Sequence, residues 1–553
     1  MKSTMQESPL LISRILLSGT RLHADQEVVT WTADGARRTS YAEVGTQAAQ
    51  LANALRGLGI DGDQRVATFM WNNAEHLVAY LGVPSMGAVL HALNIRLFPE
   101  QIIYVANHAA DQVVILDNSL AAPFSKLLPH LVTLRHVIVN GPIPDEVRAA
   151  LEAVPHIEAV HDWATLLAAQ PTTFDWPVMD ELDASSMCYT SGTTGNPKGV
   201  VYSHRSNYLH TFQVSMSLGF GQGDRLLAVV PMFHANAWGI PYAALMLGAS
   251  LIMPDRFLQA EPLAKMIEAE KVTGGGAVPT IWTDLLRYLD SHPTDTSSMR
   301  SVIVGGAACP LSLMKAYEER HDITVIHAWG MTEISPLGST AVAPVGTTGD
   351  EHWSYRQTQG RIASSLRARL VGPDGAELPW DGESVGELQV RGPWVTASYY
   401  DNGTNSEAER ADADSKFDDG WLCTGDVGSL SANGFLKLTD RAKDVIKSGG
   451  EWISSVELEN ALIAHPDVLE ASVVGVPDER WGERPLATVV RAADSTIDAA
   501  ELQAFLRSKV AGWQVPERWA FIEEVPKTSV GKFDKKLLRK RYAEGELSVE
   551  TLT

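Results

Sequence analysis

Apolar and polar positions along this chain follow two periods that take turns. Ser40-Tyr41-Ala42-Glu43 has capping-box spacing, and apolar residues then recur at helical period through Leu58, ahead of Gly59. Residues 65–70 read as a strand, and the stretch carrying Glu75, Leu77 and Tyr80 reads as a helix. Residues 113–116 and 137–139 are further short apolar strands, and the alternation resumes with strands at 226–230, 251–253, 302–304 and 325–326 between helices. Strands alternating with helices predict α/β layers.

Past about residue 360 the period changes. Residues 387–391 alternate as in an antiparallel sheet, and Asn433-Gly434 is a hairpin signal between 428–430 and 435–438. The C-terminal stretch predicts a small α+β unit: a helix over 456–463, strands near 471–476 and 486–490, a helix from Ala499, and a tail with Lys527, Lys532, Lys535 and Lys536. The boundary falls near Asp440-Arg441, giving domains 1–440 and 441–553. At the N-terminus, residues 9–17 form a short apolar run broken by Arg14. It lacks a signal-peptide cleavage pattern, and no segment reaches membrane-spanning length. The run predicts an amphipathic helix packed on the body, and it leaves a peripheral membrane contact open.

Composition narrows the picture. With 553 residues the chain is too long for one core. Its net charge of −22 argues against nucleic acid as a partner. Cys188, Cys309 and Cys423 form no disulfide framework or CxxC pattern, which suits a reducing, cytoplasmic compartment; their simplest reading is as small core residues.

The chemistry concentrates in a few segments. Tyr189-Thr190-Ser191-Gly192-Thr193-Thr194-Gly195-Asn196-Pro197-Lys198-Gly199 combines glycines, hydroxyls and a cation. Glycine lets backbone N–H groups turn toward an anion, and lysine adds charge, so this is a phosphate cradle, although not the G-x-x-x-x-G-K-[ST] loop. Val200 and Val201 then predict a strand or buried turn. Gly305-Gly306-Ala307-Ala308 sits between a strand and a helix, where small residues allow close approach of a flat ligand. His327-Ala328-Trp329-Gly330-Met331-Thr332-Glu333 offers a flat ring for a base and a carboxylate for a hard cation. In Thr424-Gly425-Asp426 a single carboxylate can accept both hydroxyls of a sugar. Asp440 to Trp452, with Ser448-Gly449-Gly450-Glu451-Trp452 at its end, and Pro526-Lys527-Thr528-Ser529-Val530-Gly531-Lys532 complete the set.

In this order the segments resemble the motifs of the adenylate-forming enzymes, which include acyl-CoA synthetases, carrier-linked adenylation domains and beetle luciferases. The resemblance implies a large N-terminal domain of layered α/β subdomains with a β-barrel-like part, and a small mobile α+β C-terminal domain. It implies ATP, Mg²⁺ and CoA as ligands. Thr190, Ser191, Gly192, Thr193, Thr194, Gly195 and Lys198 would hold phosphate. Gly306, Ala307, His327, Ala328, Trp329 and Gly330 would frame adenine, with Trp329 where most relatives have tyrosine. Thr332 would touch the α-phosphate, and Glu333 with Thr190 would bind the metal. Asp426 and Arg441 would take the ribose, Lys443 would be the hinge, and Lys447 and Trp452 would complete the nucleotide set. Gly449 and Gly450 would line the pantetheine passage, and Lys532 would reach in during adenylation.

Pro231-Met232-Phe233-His234-Ala235-Asn236-Ala237-Trp238 resembles the segment of bacterial medium- and long-chain fatty-acyl-CoA synthetases in which a tryptophan gates the acyl tunnel. Trp238 matches that gate, with a buried core tryptophan as the rival reading. His234 is either a functional group beside a carboxylate or thiol, or a satisfied core histidine. The expectation is a fatty-acid–CoA ligase acting on medium to long chains, in a subfamily whose members form homodimers. A CoA ligase for a short-chain, thioether or aryl acid, a carrier-protein adenylation enzyme and a luciferase-like oxygenase are the alternatives. No carrier serine motif precedes Thr553, which counts against the second of these.

Overall fold

The computed structural model describes residues 1–190, 196–441, 443–448, 451–493, 495–528 and 532–552, the side chains of Glu451 and Trp452 excepted. Helix Tyr41–Gly57 starts where the capping box put it. Ser40 Oγ accepts from the Glu43 N–H at 3.2 Å, and the Glu43 carboxylate accepts from the Ser40 N–H at 2.7 Å. Helix Ile12–Leu22 packs Ile12, Ile15 and Leu16 into the core and leaves Leu17 and Leu22 in solvent. No helix among the described residues is long and apolar enough to cross a membrane.

Three sheets organise the chain. The first has seven strands in the order Ala159–Asp162, His136–Asn140, Asp111–Asp117, Arg65–Phe69, Val89–Ala92, Ala184–Tyr189, Gly199–Ser203. All its pairs are parallel except the last, which folds back beyond the phosphate segment as Val200 and Val201 predicted. The second sheet has a parallel half, running from Glu27–Thr32 through Ser250–Met253, Arg225–Ala228, Gly274–Ala277 and Ser301–Val304 to Thr324–Gly330. Strand Thr324–Gly330 is the seam. Its first residues pair in parallel with Ser301–Val304, and its last pair antiparallel with Leu337–Thr340, with a register shift between Trp329 and Gly330. Beyond the seam the sheet is antiparallel and runs through hairpin Trp421–Leu430/Phe435–Arg441 and strand Gly386–Arg391 to Arg367–Val371 and Glu377–Leu378 at its edge. The hairpin's turn holds Asn433-Gly434, Gly434 has φ +81°, and Asp426 stands opposite Arg441.

Strand Gly274–Ala277 departs from the expected pattern, because three successive glycines carry no hydrophobic periodicity. The space they leave is filled. A Cβ on Gly276 would meet Trp238 and Ile240 at 3.4 Å, and one on Gly275 would meet the Leu227 carbonyl at 2.7 Å.

After Arg441 the chain enters a third, six-stranded sheet. It contains Ile446–Ser448, Glu451–Ile453 and the long hairpin Val468–Asp478/Gly482–Arg491, each arm of which outruns the predicted strand. Helices Ser455–Ile463, Ala499–Arg507 and Lys535–Ala543 flank it. Its own core gathers Ile446, Leu458, Leu462, Val473, Val489 and Trp519. The unit docks on the end of the hairpin: Asp440 accepts from the Ser455 N–H at 2.8 Å, and the Ser454 hydroxyl donates to the Thr439 carbonyl. The architecture is the α/β fold the resemblance implied, with a large N-terminal part and a smaller C-terminal one.

Candidate active site

A cavity of about 490 Å³ opens where the three sheets meet. Thr190 enters it from the end of strand Ala184–Tyr189, Trp329 to Glu333 from the seam, Thr424 and Gly425 from strand Trp421–Leu430, and Lys532 from the C-terminal tail. Lys198, His234, Trp238, Gly306, Ala328, Arg441 and Lys443 also line it. These residues span more than three hundred positions of sequence, and the topology brings them to one place.

The lining is mixed in chemistry. Thr190, Lys198, Thr332, Glu333, Tyr399, Arg441, Lys443 and Lys532 bring hydroxyl, carboxylate and cationic groups to it, and Val214, Leu218, Trp238, Ile240, Ile303 and Leu337 bring apolar surface. Thr190 is tied to the far end of its loop: its N–H donates to the Lys198 carbonyl at 2.9 Å, and its hydroxyl accepts from the Lys198 N–H at 3.1 Å. The Lys198 ammonium pairs with Asp412 at 2.5 Å and lies 5.8 Å from the centre of the Tyr399 ring. Asn196 donates to Glu409 at 3.0 Å, so helix Glu407–Asp414 leans on the phosphate segment through two acidic side chains.

Glu333 is buried, and the Tyr399 hydroxyl donates to its Oε1 at 2.6 Å. Burial and the Glu333 charge together push the Tyr399 phenol well above its usual range, so it stays a donor. Glu333 and the Thr190 hydroxyl are oxygen donors of the kind a magnesium ion takes when phosphate oxygens supply the rest of its shell. Lys532 sits within reach of Gly306, where an added Cβ would be 3.6 Å from its Cε. Burial and the cations Arg441 and Lys443 pull its ammonium down to about 8, against the upward pull of Asp426 and Glu333. His234, half-buried near Lys532 and Arg96, is held down to about 3, chiefly by desolvation, and is a neutral imidazole. It faces the cavity, so it is not a core histidine satisfied out of sight.

Trp238 rests its indole over Gly276 and Gly305, and a Cβ on Gly305 would come within 3.0 Å of its Cη2. It is carried on an unusual turn: Ala235, Asn236, Ala237 and Trp238 all have φ between 41° and 56°, and Gly239 follows at 76°. L-residues disfavour that left-handed region by roughly 1–2 kcal/mol each. The Asn236 amide helps to hold the turn, donating to Asn207 Oδ1 at 3.2 Å and to Ser186 Oγ at 3.4 Å.

Four predicted residues among those described lie outside the cavity lining. His327 turns its ring between the Thr358 carbonyl, at 2.8 Å from Nδ1, and the Ala307 backbone; burial pulls it down to about 4. It supports the Gly305–Ala308 turn from behind. Ala307 follows Gly306, whose φ is +81°, and points to solvent. Lys447 is exposed on strand Ile446–Ser448. Asp426 sits one layer back, its carboxylate engaged by Trp329 and Arg441. Ser191, Gly192, Thr193, Thr194, Gly195, Gly449 and Gly450, and the side chain of Trp452, lie outside the described residues. Tyr399, Glu387, Ser415, Lys416 and the aliphatic lining residues were missed from sequence. Only the Tyr399-Tyr400 pair offered a signal, and an aromatic pair in a polar loop is a weak one. Cys423 also reaches the cavity wall, with its thiol pushed up by burial; Cys188 and Cys309 are buried as expected.

Comparison with known proteins agrees with this geometry. The model of the AMP-binding enzymes matches residues 19–400, and that of the AMP-binding enzyme C-terminal domain matches 457–532. The chain is 41% identical to the 3-methylmercaptopropionyl-CoA ligase of Ruegeria pomeroyi, over 98% of this chain and 99% of that one. It is 40% identical to a medium-chain-fatty-acid–CoA ligase of Ectopseudomonas oleovorans, over 98% of each. The crystal structure of the anthranilate CoA ligase AuaEII in complex with anthranoyl-AMP superposes with a TM-score of 0.86 at 26% identity, covering 99% of this chain and all of that one. The chain belongs to the AMP-binding enzymes, and within them to the AMP-forming acid–thiol ligases.

Proposed function

We propose that this chain is an ATP-dependent ligase joining an aliphatic carboxylic acid of medium to long chain to CoA. The observation that carries the reading is the cavity's mixed lining: apolar Val214, Leu218, Trp238, Ile240, Ile303 and Leu337 share it with hydroxyl, carboxylate and ammonium groups. Such a lining accepts both a hydrocarbon tail and a phosphate chain.

In the first half-reaction the acid's carboxylate attacks the α-phosphorus of ATP, the bond to pyrophosphate breaks, and acyl-AMP forms. Lys532 holds the oxygens on which charge builds, and Thr332, Thr190 and Lys198 hold phosphate. Glu333 with Thr190 would hold Mg²⁺, which supplies positive charge beside the phosphates. Neutral His234 adds no competing charge beside the substrate carboxylate. In the second half-reaction the CoA thiolate attacks the acyl carbonyl and AMP leaves. Residues 441–553 then act as a mobile domain turning at Lys443, which withdraws Lys532 and brings up Gly449 and Gly450. We place the enzyme in the cytoplasm as a homodimer, the former supported by three unpaired cysteines.

A second reading, a short thioether acid, is favoured by the 41% identity to the Ruegeria ligase. One assay separates the two: pyrophosphate release, with and without CoA, for straight-chain acids from C2 to C18 and for 3-methylmercaptopropionate. The fatty-acid reading expects kcat/KM to rise about fourfold per carbon, at up to roughly 0.8 kcal/mol per buried methylene, and then level off. The thioether acid outperforming octanoate and dodecanoate would transfer the assignment to the second reading; acetate or an aromatic acid doing so would sink both.

A further inference from the structure

The carboxylate assigned to the ribose is itself held in place. Asp426 is only 3% exposed. The Trp329 indole N–H donates to its Oδ2 at 2.7 Å, and Arg441 Nε lies 3.2 Å from its Oδ1. Behind it the Asp426 N–H donates to Thr424 Oγ1 at 3.1 Å, and the Thr424 hydroxyl donates to the Leu388 carbonyl at 2.6 Å. An ionised carboxylate has about four acceptor sites. Among the described residues one oxygen takes the indole N–H and the other faces the guanidinium, so acceptor capacity remains for a pair of neighbouring hydroxyls.

The indole can fix the carboxylate because it is itself fixed. Its six-membered edge lies so close to Gly338 that a Cβ there would fall 2.3 Å from Cζ3, and Ile334 closes the same side. The strand register shifts between Trp329 and Gly330, directly after the ring. An indole N–H is a donor only, so it pairs with one defined oxygen and has no second mode.

We propose that Trp329 is a positioning residue for nucleotide selection: through its N–H it aims Asp426 at the ribose diol, so discrimination between ribose and deoxyribose depends on that hydrogen bond. The proposal rests on reading Asp426 as the ribose acceptor. It assigns the indole a task separate from any stacking on the base, because the ring face and the N–H can be lost independently.

The test measures kcat/KM for acyl-AMP formation with ATP and with 2′,3′-dideoxyATP, which offers Asp426 no diol. Trp329→Phe keeps an aromatic face and removes the donor. We expect about a tenfold loss with ATP and less than a twofold change with the dideoxy nucleotide, so selectivity shrinks about tenfold. Equal losses with both nucleotides would overturn the proposal, since stacking or packing alone predicts them. If Trp329→Phe does not fold, 3-benzothienylalanine at position 329 replaces the N–H with sulfur at nearly unchanged shape, and the same two outcomes apply. Asp426→Asn separates the layers. If it leaves the ribose selectivity intact, the assignment of Asp426 falls and the proposal with it. If it abolishes selectivity while the Trp329 variants do not, only the proposal falls.

Discussion

Lys532 gives the sharpest prediction. Its ammonium is drawn down to about 8 by burial and by the nearby cations Arg441 and Lys443. The charged form is the one that can hold carboxylate and phosphate oxygens, so adenylation requires the proton to be present. A group with a pKa near 8 is about nine-tenths charged at pH 7 and only about one-tenth charged at pH 9, whereas an ordinary lysine, near 10.4, would be fully charged at both. The rate of acyl-AMP formation, followed by pyrophosphate release without CoA, is therefore expected to be level near neutrality, to fall about tenfold between pH 7 and pH 9, and then to fall about tenfold per unit. Lys532→Arg, which does not deprotonate in this range, should be slower but flat to about pH 9.5. Arg441→Gln removes one of the depressing charges and should shift the alkaline limb upward. Lys532→Ala should lose at least about a hundredfold in adenylation and still convert preformed acyl-AMP to acyl-CoA. The reasoning fails if the wild-type limb lies at pH 10 or above, or if Lys532→Arg shows the same limb.

Other residues make separate claims. Tyr399→Phe deprives buried Glu333 of a hydrogen bond of the charged type, worth about 1.5–3 kcal/mol, so adenylation should slow about tenfold or more while thioester formation from preformed acyl-AMP is unchanged; slowing of both halves would contradict the role. Gly305→Ala places a methyl 3.0 Å from the Trp238 ring and should push the indole into the cavity, lowering the decanoate-to-butyrate ratio of kcat/KM several-fold; an unchanged ratio would show that Trp238 does not bound the chain. Ala237→Gly relieves about 1–2 kcal/mol of left-handed strain against roughly 0.5–1 kcal/mol of added unfolded-chain entropy, so the first urea transition should move upward by about 0.5–1 kcal/mol; a downward shift would mean that the methyl's packing outweighs the strain.

Much of the fold could be read from local chemistry. The Ser40/Glu43 box and the Asn433-Gly434 turn each act within a few residues, so their signals survive in the sequence. Strand Gly274–Ala277 could not be read, because its place in the sheet depends on what Leu227, Trp238 and Ile240 put where its side chains would be. The left-handed turn at 235–238 was equally hidden: two alanines, an asparagine and a tryptophan say nothing of positive φ, and the turn exists because Ser186 and Asn207 hold Asn236 from other strands and helices. Within the site, the motif residues were legible one by one, but their partners were not. Trp329 and Asp426 are 97 positions apart, as Glu333 and Tyr399 are 66 apart, and only the seam in the second sheet makes them neighbours. His327 shows a different limit: it lies inside a recognisable motif, yet its ring turns to the Thr358 carbonyl and the Ala307 backbone, partners that the motif itself does not announce.

The ion pair between Lys198 and Asp412 bears on turnover. An anion that takes Lys198 displaces a carboxylate that cannot diffuse away, because helix Glu407–Asp414 keeps it tethered next to the phosphate segment. A tethered competitor acts at an effective concentration on the order of millimolar. The net affinity of a phosphate chain for this lysine is accordingly a difference between two ion pairs, smaller than either alone. When the chain has been cut, the waiting carboxylate can re-form its own pair as pyrophosphate loosens, one step at a time, with no interval in which the lysine is bare. If Lys198 takes phosphate as proposed, capture at this end of the cavity is a ligand exchange, in which the side chain that weakens entry also speeds departure.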